Sequence, residues 1–169
     1  MTAFGTIARV THVVLLALWF GGGVFFAALV APELFAQMPS RQAAGDLVTS
    51  VLANADLFGI IVGPVLLITL FIGFAPLGVR LRLRALATVI MTVLTAVSGR
   101  WLSPKMVELR QAMGRPIEDL AATDPLKVQF SNLHLASEAM MTVHLLLALF
   151  LLVAAVTSSA PKRSFGIEL

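Results

Sequence analysis

Three histidines and a glutamate lie in segments that are otherwise apolar, and their types and spacing are the ones best suited to chemistry in this chain. His134 and Glu138 are four residues apart, so a helix would place them on one face. An imidazole and a carboxylate at this spacing can supply two ligands to a metal ion. His12 and His144 lie in separate apolar segments. There a neutral imidazole could be an axial ligand of haem b, or it could hydrogen-bond a neighbouring helix.

Neither site is complete as the sequence presents it. The chain has no cysteine, which excludes disulfides, thiolate ligands and cysteine nucleophiles. A third and fourth metal ligand would have to come from Glu33, Asp56 or water. His12 and His144 are expected to differ in membrane depth by about 12 Å, at about 1.5 Å per residue. Haem bound through His12 alone, or with a partner other than histidine, therefore stays open beside binding by both.

The composition indicates which solvent surrounds these residues. The chain has 169 residues, of which 59% are hydrophobic and 12% are charged, and its mean hydropathy is +0.95. Soluble domains are about half apolar and about a quarter charged. This chain has too little polar surface to cover a globule, so we expect a lipid bilayer as its partner. The net charge of +3 is small, and its bases lie at segment ends, which favours a role in topology over nucleic-acid binding.

Four apolar segments predict an all-α membrane protein, a four-helix transmembrane bundle in a single domain of residues 1–169. A span needs about 20 residues to cross about 30 Å of hydrocarbon, and it must be helical because no water is present to satisfy an open backbone. The first segment is expected to be a retained helix and not a cleaved signal peptide, because its apolar run is longer than a typical signal core. The predicted spans are residues 7–30, 57–77, 83–99 and 133–156.

The two longer loops, expected on the external side, contain short amphipathic segments. Residues 39–56 place apolar side chains on one helical face after a start signal. Residues 103–116 do the same, with Ser103 as a candidate N-cap and Gly114 as a stop. We expect these short helices to lie on the membrane surface or to continue an adjacent helix. Pro125 predicts that the fourth helix begins before its apolar span.

The basic residues predict a multi-pass protein of the cell inner membrane with both termini in the cytoplasm. Half of the 12 Lys and Arg residues would then lie inside, close to the membrane and almost without accompanying acids. The other half would lie in the external loops, where acidic residues are mixed among them. Positive residues that flank a span set its orientation. The bases expected inside are Arg9, Arg80, Arg82, Arg84, Lys162 and Arg163.

The antiparallel arrangement also gathers five polar residues near the external helix ends. An ionised carboxylate in a membrane usually faces protein or water and has a partner, and Arg100 is the expected partner of Glu138. The five would form either a salt-bridge and hydrogen-bond cluster that keeps the helices in register or a polar vestibule for a solute, proton or metal ion. They are Glu33, Asp56, Arg100, His134 and Glu138.

Glycines in the first two helices predict close helix packing. The first helix contains the run "WFGGG", and the second has Gly59 and Gly63 at the spacing that lets two helix backbones approach. Pro64 removes a backbone donor and could kink its helix. The glycine-rich faces could alternatively join two chains in a homo-oligomer or form a broken-helix binding site.

Three motifs give the chain a resemblance to the transmembrane protein 205-like family, whose bacterial members form a domain of unknown function. The motifs are "WFGGGVFFAALVAPELF", "RQAAG" and "FSNLHLAS", and the resemblance covers roughly residues 10–152. It implies a four-helix integral membrane protein and does not imply an activity. The residues that carry it are Trp19, Gly22, Phe25, Pro32, Phe35, Gly45, Phe130, His134 and Ser137.

The first helix is also similar to the opening helix of the copper-resistance D and haem-dependent protoporphyrinogen oxidase families. His12, Trp19 and Pro32 carry this similarity, which implies that His12 contributes to haem binding. Pro32 is followed here by Glu33, where the oxidase family has an arginine.

The sequence contains no phosphate loop, no Gly-x-Ser-x-Gly elbow and no His-Glu-x-x-His motif, which are the signatures of common soluble enzymes. We therefore expect a non-enzymatic membrane protein without a cofactor. It would handle a small solute or ion, or serve as an accessory subunit, through an outward-facing polar cluster. The alternative is a haem-binding membrane redox protein.

Overall fold

The computed structural model describes residues 2–74 and 78–159, and this part of the chain is almost entirely helical. In chain order the elements are α1 (Ala3–Phe25), a π-helical turn (Phe26–Val30), α2 (Ala31–Gln37), α3 (Arg41–Gly73), α4 (Val79–Val97), a second π-helical turn (Ser98–Leu102), α5 (Ser103–Met113), a 3-10 turn (Ile117–Asp119) and α6 (Pro125–Ser159).

These elements join into four continuous long helices, each long and apolar enough to cross a membrane. The predicted fold class, an all-α four-helix bundle, is therefore confirmed. The first and third long helices have 35 residues each, which corresponds to about 52 Å at about 1.5 Å per residue. Because the hydrocarbon layer is only about 30 Å thick, the helices extend beyond it.

The predicted loop helices are extensions of the membrane helices. α2 continues α1, the loop residues from Arg41 onward open α3, and α5 continues α4. Of the two expected arrangements, the structure has the continuous one. Ser103 is not an N-cap, because the backbone passes through it in helical conformation from Leu102. Gly114 does end α5, in the left-handed conformation with φ 62°.

The predicted spans mark the apolar parts of the helices and not their ends. Residues 7–30, 83–99 and 133–156 each lie inside a longer helix, because the polar flanks are also helical. The second predicted span, 57–77, extends past the end of α3 at Gly73, and its residues 75–77 lie outside the described part of the chain.

The four long helices form a ring in which α1 and α4 each pack against both α3 and α6. The interior is an apolar cluster whose central side chains Leu16, Leu66, Leu70 and Met91 are all 0% exposed. Large apolar side chains, Ile61 among them, also cover the outer surface. A bundle that is apolar inside and outside is what a bilayer requires of a membrane protein.

Glycines in α3 make the closest contacts between helices. A Cβ added to Gly63 would lie 2.1 Å from Thr92 Oγ1, and one added to Gly59 would lie 2.6 Å from the ring of Trp19. The small-residue packing predicted for this helix therefore takes place within the chain. Gly21 and Gly22 meet nothing within 4 Å in the described residues. A homo-oligomer through glycine-rich faces stays a prediction.

The two ends of the ring differ, and each is named here by its residues. The cavity end comprises the second half of α1 with α2, the first half of α3, the last turns of α4 with α5, and the first half of α6. A small apolar cluster around Leu109, Met113 and Leu120 closes its tip, and Arg110 links α5 to Asp46 at 2.8 Å. The opposite half, where α1 and α4 begin and α3 and α6 end, is the arginine end.

Candidate functional site

The five residues of the predicted polar cluster all lie at the cavity end, but they do not meet as one group. Glu33 is exposed and accepts a hydrogen bond from Gln37 at 2.9 Å. Arg100 is exposed and forms no ion pair with any residue in the described part of the chain. The predicted Arg100–Glu138 ion pair is therefore wrong, because Glu138 pairs within its own helix.

His134 and Glu138 form the expected contact along one face of α6, at 3.2 Å between Nε2 and Oε1. Their side chains are 53% and 62% exposed, so they face outward. The reason lies in the length of the helix. From residue 139 to its end α6 carries no charged side chain, and about 20 residues suffice to cross the hydrocarbon. Glu138 thus stands at the edge of the apolar span, where water can solvate it.

Asp56 has a different setting, in the wall of the bundle. It lies on α3 and is half-buried, and its Oδ2 accepts a hydrogen bond from Ser98 Oγ of the second π-helical turn at 3.2 Å. Gly99 lets the two helices meet here, because an added Cβ would lie 2.9 Å from the Asp56 side chain. Asp56 forms no ion pair with the residues that the structure describes.

A cavity of about 370 Å³ opens between the four long helices beside Asp56. Its walls are mostly apolar and aromatic, with Trp19, Phe26 and Met141 among them. Polar side chains are few: Asp56 with Ser98, Thr95 from α4, and Ser137 and His144 from α6. Both π-helical turns contribute to the wall, and such turns often occur at functional sites. A concave apolar site with a few convergent polar groups is the usual form of a small-molecule site.

His144 lies in the wall of this cavity and is 8% exposed. Its ring stands 4.8 Å from that of Trp19 on α1, centroid to centroid. A hydrogen bond from His144 to a neighbouring helix, one of the two roles expected for this residue, stays a prediction.

His12 lies deeper in the arginine end and is 1% exposed. Its Nδ1 is 3.0 Å from Thr69 Oγ1. The Thr69 hydroxyl also lies within hydrogen-bond distance of two carbonyls of its own helix, so the contact with His12 links α1 to α3. The edge of the His12 ring also contacts Phe74 at 5.2 Å between centroids. His12 therefore plays the helix-to-helix role that was expected for a membrane histidine.

The two histidines lie at different depths in the bundle. His144 is level with Trp19, which follows His12 by seven residues on α1, a rise of about 10 Å. His12 lines neither the cavity beside Asp56 nor a second cavity at the arginine end. Haem binding through His12 alone or with another partner stays a prediction. A Soret absorbance band that is lost in His12→Ala would support it.

The predicted metal site at His134 and Glu138 has no third protein ligand among the described residues. Within the described residues no group of three or more histidine, aspartate and glutamate side chains is placed to hold a metal ion. Glu33 and Asp56, the expected further ligands, lie on α2 and α3 with partners of their own. Metal binding by His134 and Glu138 would thus rest on two protein ligands.

Two groups of residues were missed at the sequence level. One is the apolar lining of the cavity, which comes from four different helices and leaves no local pattern. The other is Arg84, read only as a topology signal, which is 9% exposed and is packed between helices. The signal in the sequence was the alternating run "RLRLR". In a helix, residues 80 and 84 of this run share a face.

Four long apolar helices define the chain as a multi-pass integral membrane protein. Residues 14–115 match the family described as Domain of unknown function (DUF4149), and the chain belongs to this family. The matched region contains α2, α3, α4 and α5 whole, with about half of α1, and includes Asp56 and Ser98. Comparison with curated proteins and with solved structures gives no match.

Proposed function

We propose that this protein binds a small amphipathic solute in the cavity beside Asp56. The observation that carries the proposal is a half-buried carboxylate that faces an apolar cavity within the bundle and has a single hydroxyl as its partner in the described residues. Carboxylates in membranes normally have partners of opposite charge or abundant donors. A ligand that supplies a hydrogen-bond donor would complete this site.

The wall chemistry defines the class of ligand. Its apolar body would lie against Trp19, Phe26 and the methionines of α6, and its polar group would donate to Asp56. An ammonium or a hydroxyl group meets this requirement, and an ammonium would also neutralise the carboxylate. An anionic head group would be repelled by Asp56. The expected solute is therefore a cationic or neutral amphiphile.

The rim of the cavity indicates how such a solute would arrive. Leu18, Phe25 and Phe58 line the cavity and are also 58%, 59% and 39% exposed. The cavity thus opens on the side of the bundle that faces the acyl chains. An apolar solute already dissolved in the bilayer could enter without crossing water.

The membrane location and the family relationships that we propose for this protein rest on its sequence. We place the protein in a cell inner membrane with both termini in the cytoplasm, because Arg80, Arg82 and Arg84 follow the second helix without an acid. We also propose that the chain is one domain and that it is related to the transmembrane protein 205-like family. The weaker similarity to copper-resistance D proteins belongs to the same proposal.

Cysteine labelling tests the orientation cleanly, because the natural chain has no cysteine. Gly78→Cys marks the short connection before α4, and Ala121→Cys marks the connection before α6; both positions are exposed. In intact cells a membrane-impermeant maleimide should label Ala121→Cys, and Gly78→Cys should react after the membrane is permeabilised. The reverse pattern would refute the proposed orientation.

Fluorescence of Trp19 tests solute binding directly. The chain has 2 tryptophans, and Trp101→Phe leaves Trp19 in the cavity wall as the single reporter. We expect saturable quenching or a spectral shift with decylamine and with decanol, and no saturable change with decanesulfonate. Asp56→Asn should weaken decylamine binding about tenfold, the loss of one charge-assisted hydrogen bond.

Glu33→Gln provides the matched control, since it removes a carboxylate at the same end of the bundle outside the cavity lining. It should leave the affinity for decylamine unchanged. Equal affinities in Asp56→Asn and the parent protein, or the same loss in both variants, would contradict a solute site at Asp56. Weaker decylamine binding with unchanged decanol binding would identify the solute as a cation.

A further inference from the structure

The arginine end contains a second cavity, of about 320 Å³, whose chemistry is opposite to that of the first. It lies where α3 ends and α4 begins, beside the last turn of α6. Its lining includes Arg9, Arg80 and Arg84, together with Phe74 and Ser158. No acidic side chain is among the described residues that line it. Three cations around one cavity raise the local positive potential and favour an anion.

Two of the arginines are fixed in place by neighbours. Arg9 donates from Nε to the carbonyl of Gly73, and its guanidinium lies 5.2 Å from the centroid of the Phe74 ring. Arg84 lies 5.6 Å from the same ring. Phe74 therefore stands between two guanidinium groups, which stabilises both through cation–π contacts.

Arg84 keeps donors available to the cavity. Its Nη2 donates to the Ala154 carbonyl at 2.7 Å and to the Ser158 hydroxyl. Its Nε and Nη1 have no hydrogen-bond partner among the described residues. In that part of the chain, every side-chain nitrogen that is fully buried does have a partner. These two atoms are therefore accessible, and Arg84 lines the cavity. A guanidinium with two adjacent N–H groups presents the fork that binds an oxyanion in bidentate fashion.

Arg80 and the start of α4 add to the positive character of the site. Arg80 is exposed, one helical turn before Arg84, and makes no ion pair with described residues. Gly78 is the N-cap of α4 and provides no side-chain cap. The first N–H groups of a helix carry a partial positive charge and lack partners within the helix.

We propose that this cavity binds a phosphate group with net negative charge. The site lies at the end of the apolar spans, at the level of lipid head groups, so an anionic phospholipid and a free phosphate are the two sources of this chemistry. The inference does not depend on the solute site at Asp56.

The test uses the whole chain in a neutral maltoside detergent. Phosphatidylglycerol, phosphatidylcholine and inorganic phosphate are titrated separately, and bound molecules are counted by native mass spectrometry. The parent protein should retain phosphatidylglycerol about tenfold more tightly than phosphatidylcholine. Arg80→Ala should weaken phosphatidylglycerol binding about tenfold, as expected for one charge-assisted hydrogen bond.

Arg82→Ala is the matched control. Arg82 lies between the two cavity arginines on the same helix, is exposed, and does not line the cavity. It changes the net charge equally, so a general attraction to anionic lipid would fall equally in both variants. The proposal requires that Arg82→Ala change the affinity for phosphatidylglycerol by less than about twofold. Equal losses in Arg80→Ala and Arg82→Ala, or equal retention of the two lipids by the parent protein, would overturn it.

Competition with inorganic phosphate distinguishes the two sources. If millimolar phosphate displaces phosphatidylglycerol from the parent protein and binding of phosphate weakens in Arg80→Ala, the site accepts the free anion. If phosphate does not compete while the lipid preference persists, the site is specific for a head group. Arg84→Lys keeps the charge but removes the bidentate fork, and it should weaken phosphate-group binding without unfolding the protein, as checked by circular dichroism.

Discussion

The two ends of the bundle use polar side chains in opposite ways. At the arginine end, Arg84 and His12 reach across to neighbouring helices and bond directly to a carbonyl or a hydroxyl there. At the cavity end, Asp56 is bonded to one hydroxyl and faces open space. His134 and Glu138 interact within a single helix and join nothing. Buried polar groups therefore connect neighbouring helices at the arginine end. At the cavity end Arg110 and Asp46 join α5 to α3, while Asp56 lines an apolar cavity.

This difference shows how a small bundle can contain a cavity. A membrane helix bundle gains no hydrophobic stabilisation between its helices, because lipid is as apolar as leucine. Close packing and interhelical hydrogen bonds must maintain the arrangement. Toward the arginine end, Gly63, Thr69 and Arg84 provide both. The helices can then separate at the other end without losing their relative order.

The largest difference in stability between the two ends is expected when one arginine is removed from each in turn. Arg84→Ala should lower the free energy of unfolding by about 3 kcal/mol, because it deletes two charge-assisted hydrogen bonds that link α4 to α6. Arg100→Ala should change it by less than about 0.5 kcal/mol, because Arg100 is exposed and has no ion-pair partner in the described residues. Equilibrium unfolding in mixed micelles measures both. Equal effects would remove the contrast between the ends.

A smaller effect is expected from adding one methyl group at each end. Gly73→Ala places a Cβ at 3.1 Å from the backbone nitrogen of Arg9 and should cost about 2 kcal/mol through overpacking. Gly22→Ala meets nothing within 4 Å and should stabilise its helix by about 0.5 kcal/mol. The same unfolding assay applies. Destabilisation by Gly22→Ala would show that the cavity end is as closely packed as the other.

The smallest effect concerns the ion pair on α6. A double-mutant cycle with His134→Ala and Glu138→Ala should give a coupling energy below about 0.5 kcal/mol, because both side chains are exposed and screened by water. A parallel cycle with Arg100→Ala and Glu138→Ala should give none. A coupling above about 1 kcal/mol in either cycle would mean that these groups are shielded from water.

The fold was readable from the sequence because its main cause is local. Runs of about 20 apolar residues must become helices in lipid, so the number and order of spans followed directly. Helix ends were not readable in the same way. Hydropathy falls at the edge of the apolar layer, whereas the helices continue through polar residues such as those of α2 and α5.

The candidate site was readable only in part. Depth along a helix follows from residue number, so Asp56 and Glu138 were correctly assigned to one end of the bundle. The direction in which a side chain points depends on rotation of the helix about its axis, and a polar residue near the membrane edge has little to fix that rotation. This is why the expected partner of Glu138 was wrong. The cavity arises from side chains of four helices and has no counterpart in any one segment.

The two π-helical turns, Phe26–Val30 and Ser98–Leu102, have a consequence for how related chains can vary in length. Each contains one residue more than an α-helical turn would need. Deleting a single residue there would restore regular winding and leave the helix beyond it facing nearly the same way, because the wide turn had absorbed the extra residue. Asp46 and Arg110 should then still meet. Deleting one residue from the regular part of α4 would instead rotate everything beyond it by about 100° around the helix axis, a contrast that a deletion scan read out by membrane expression would reveal.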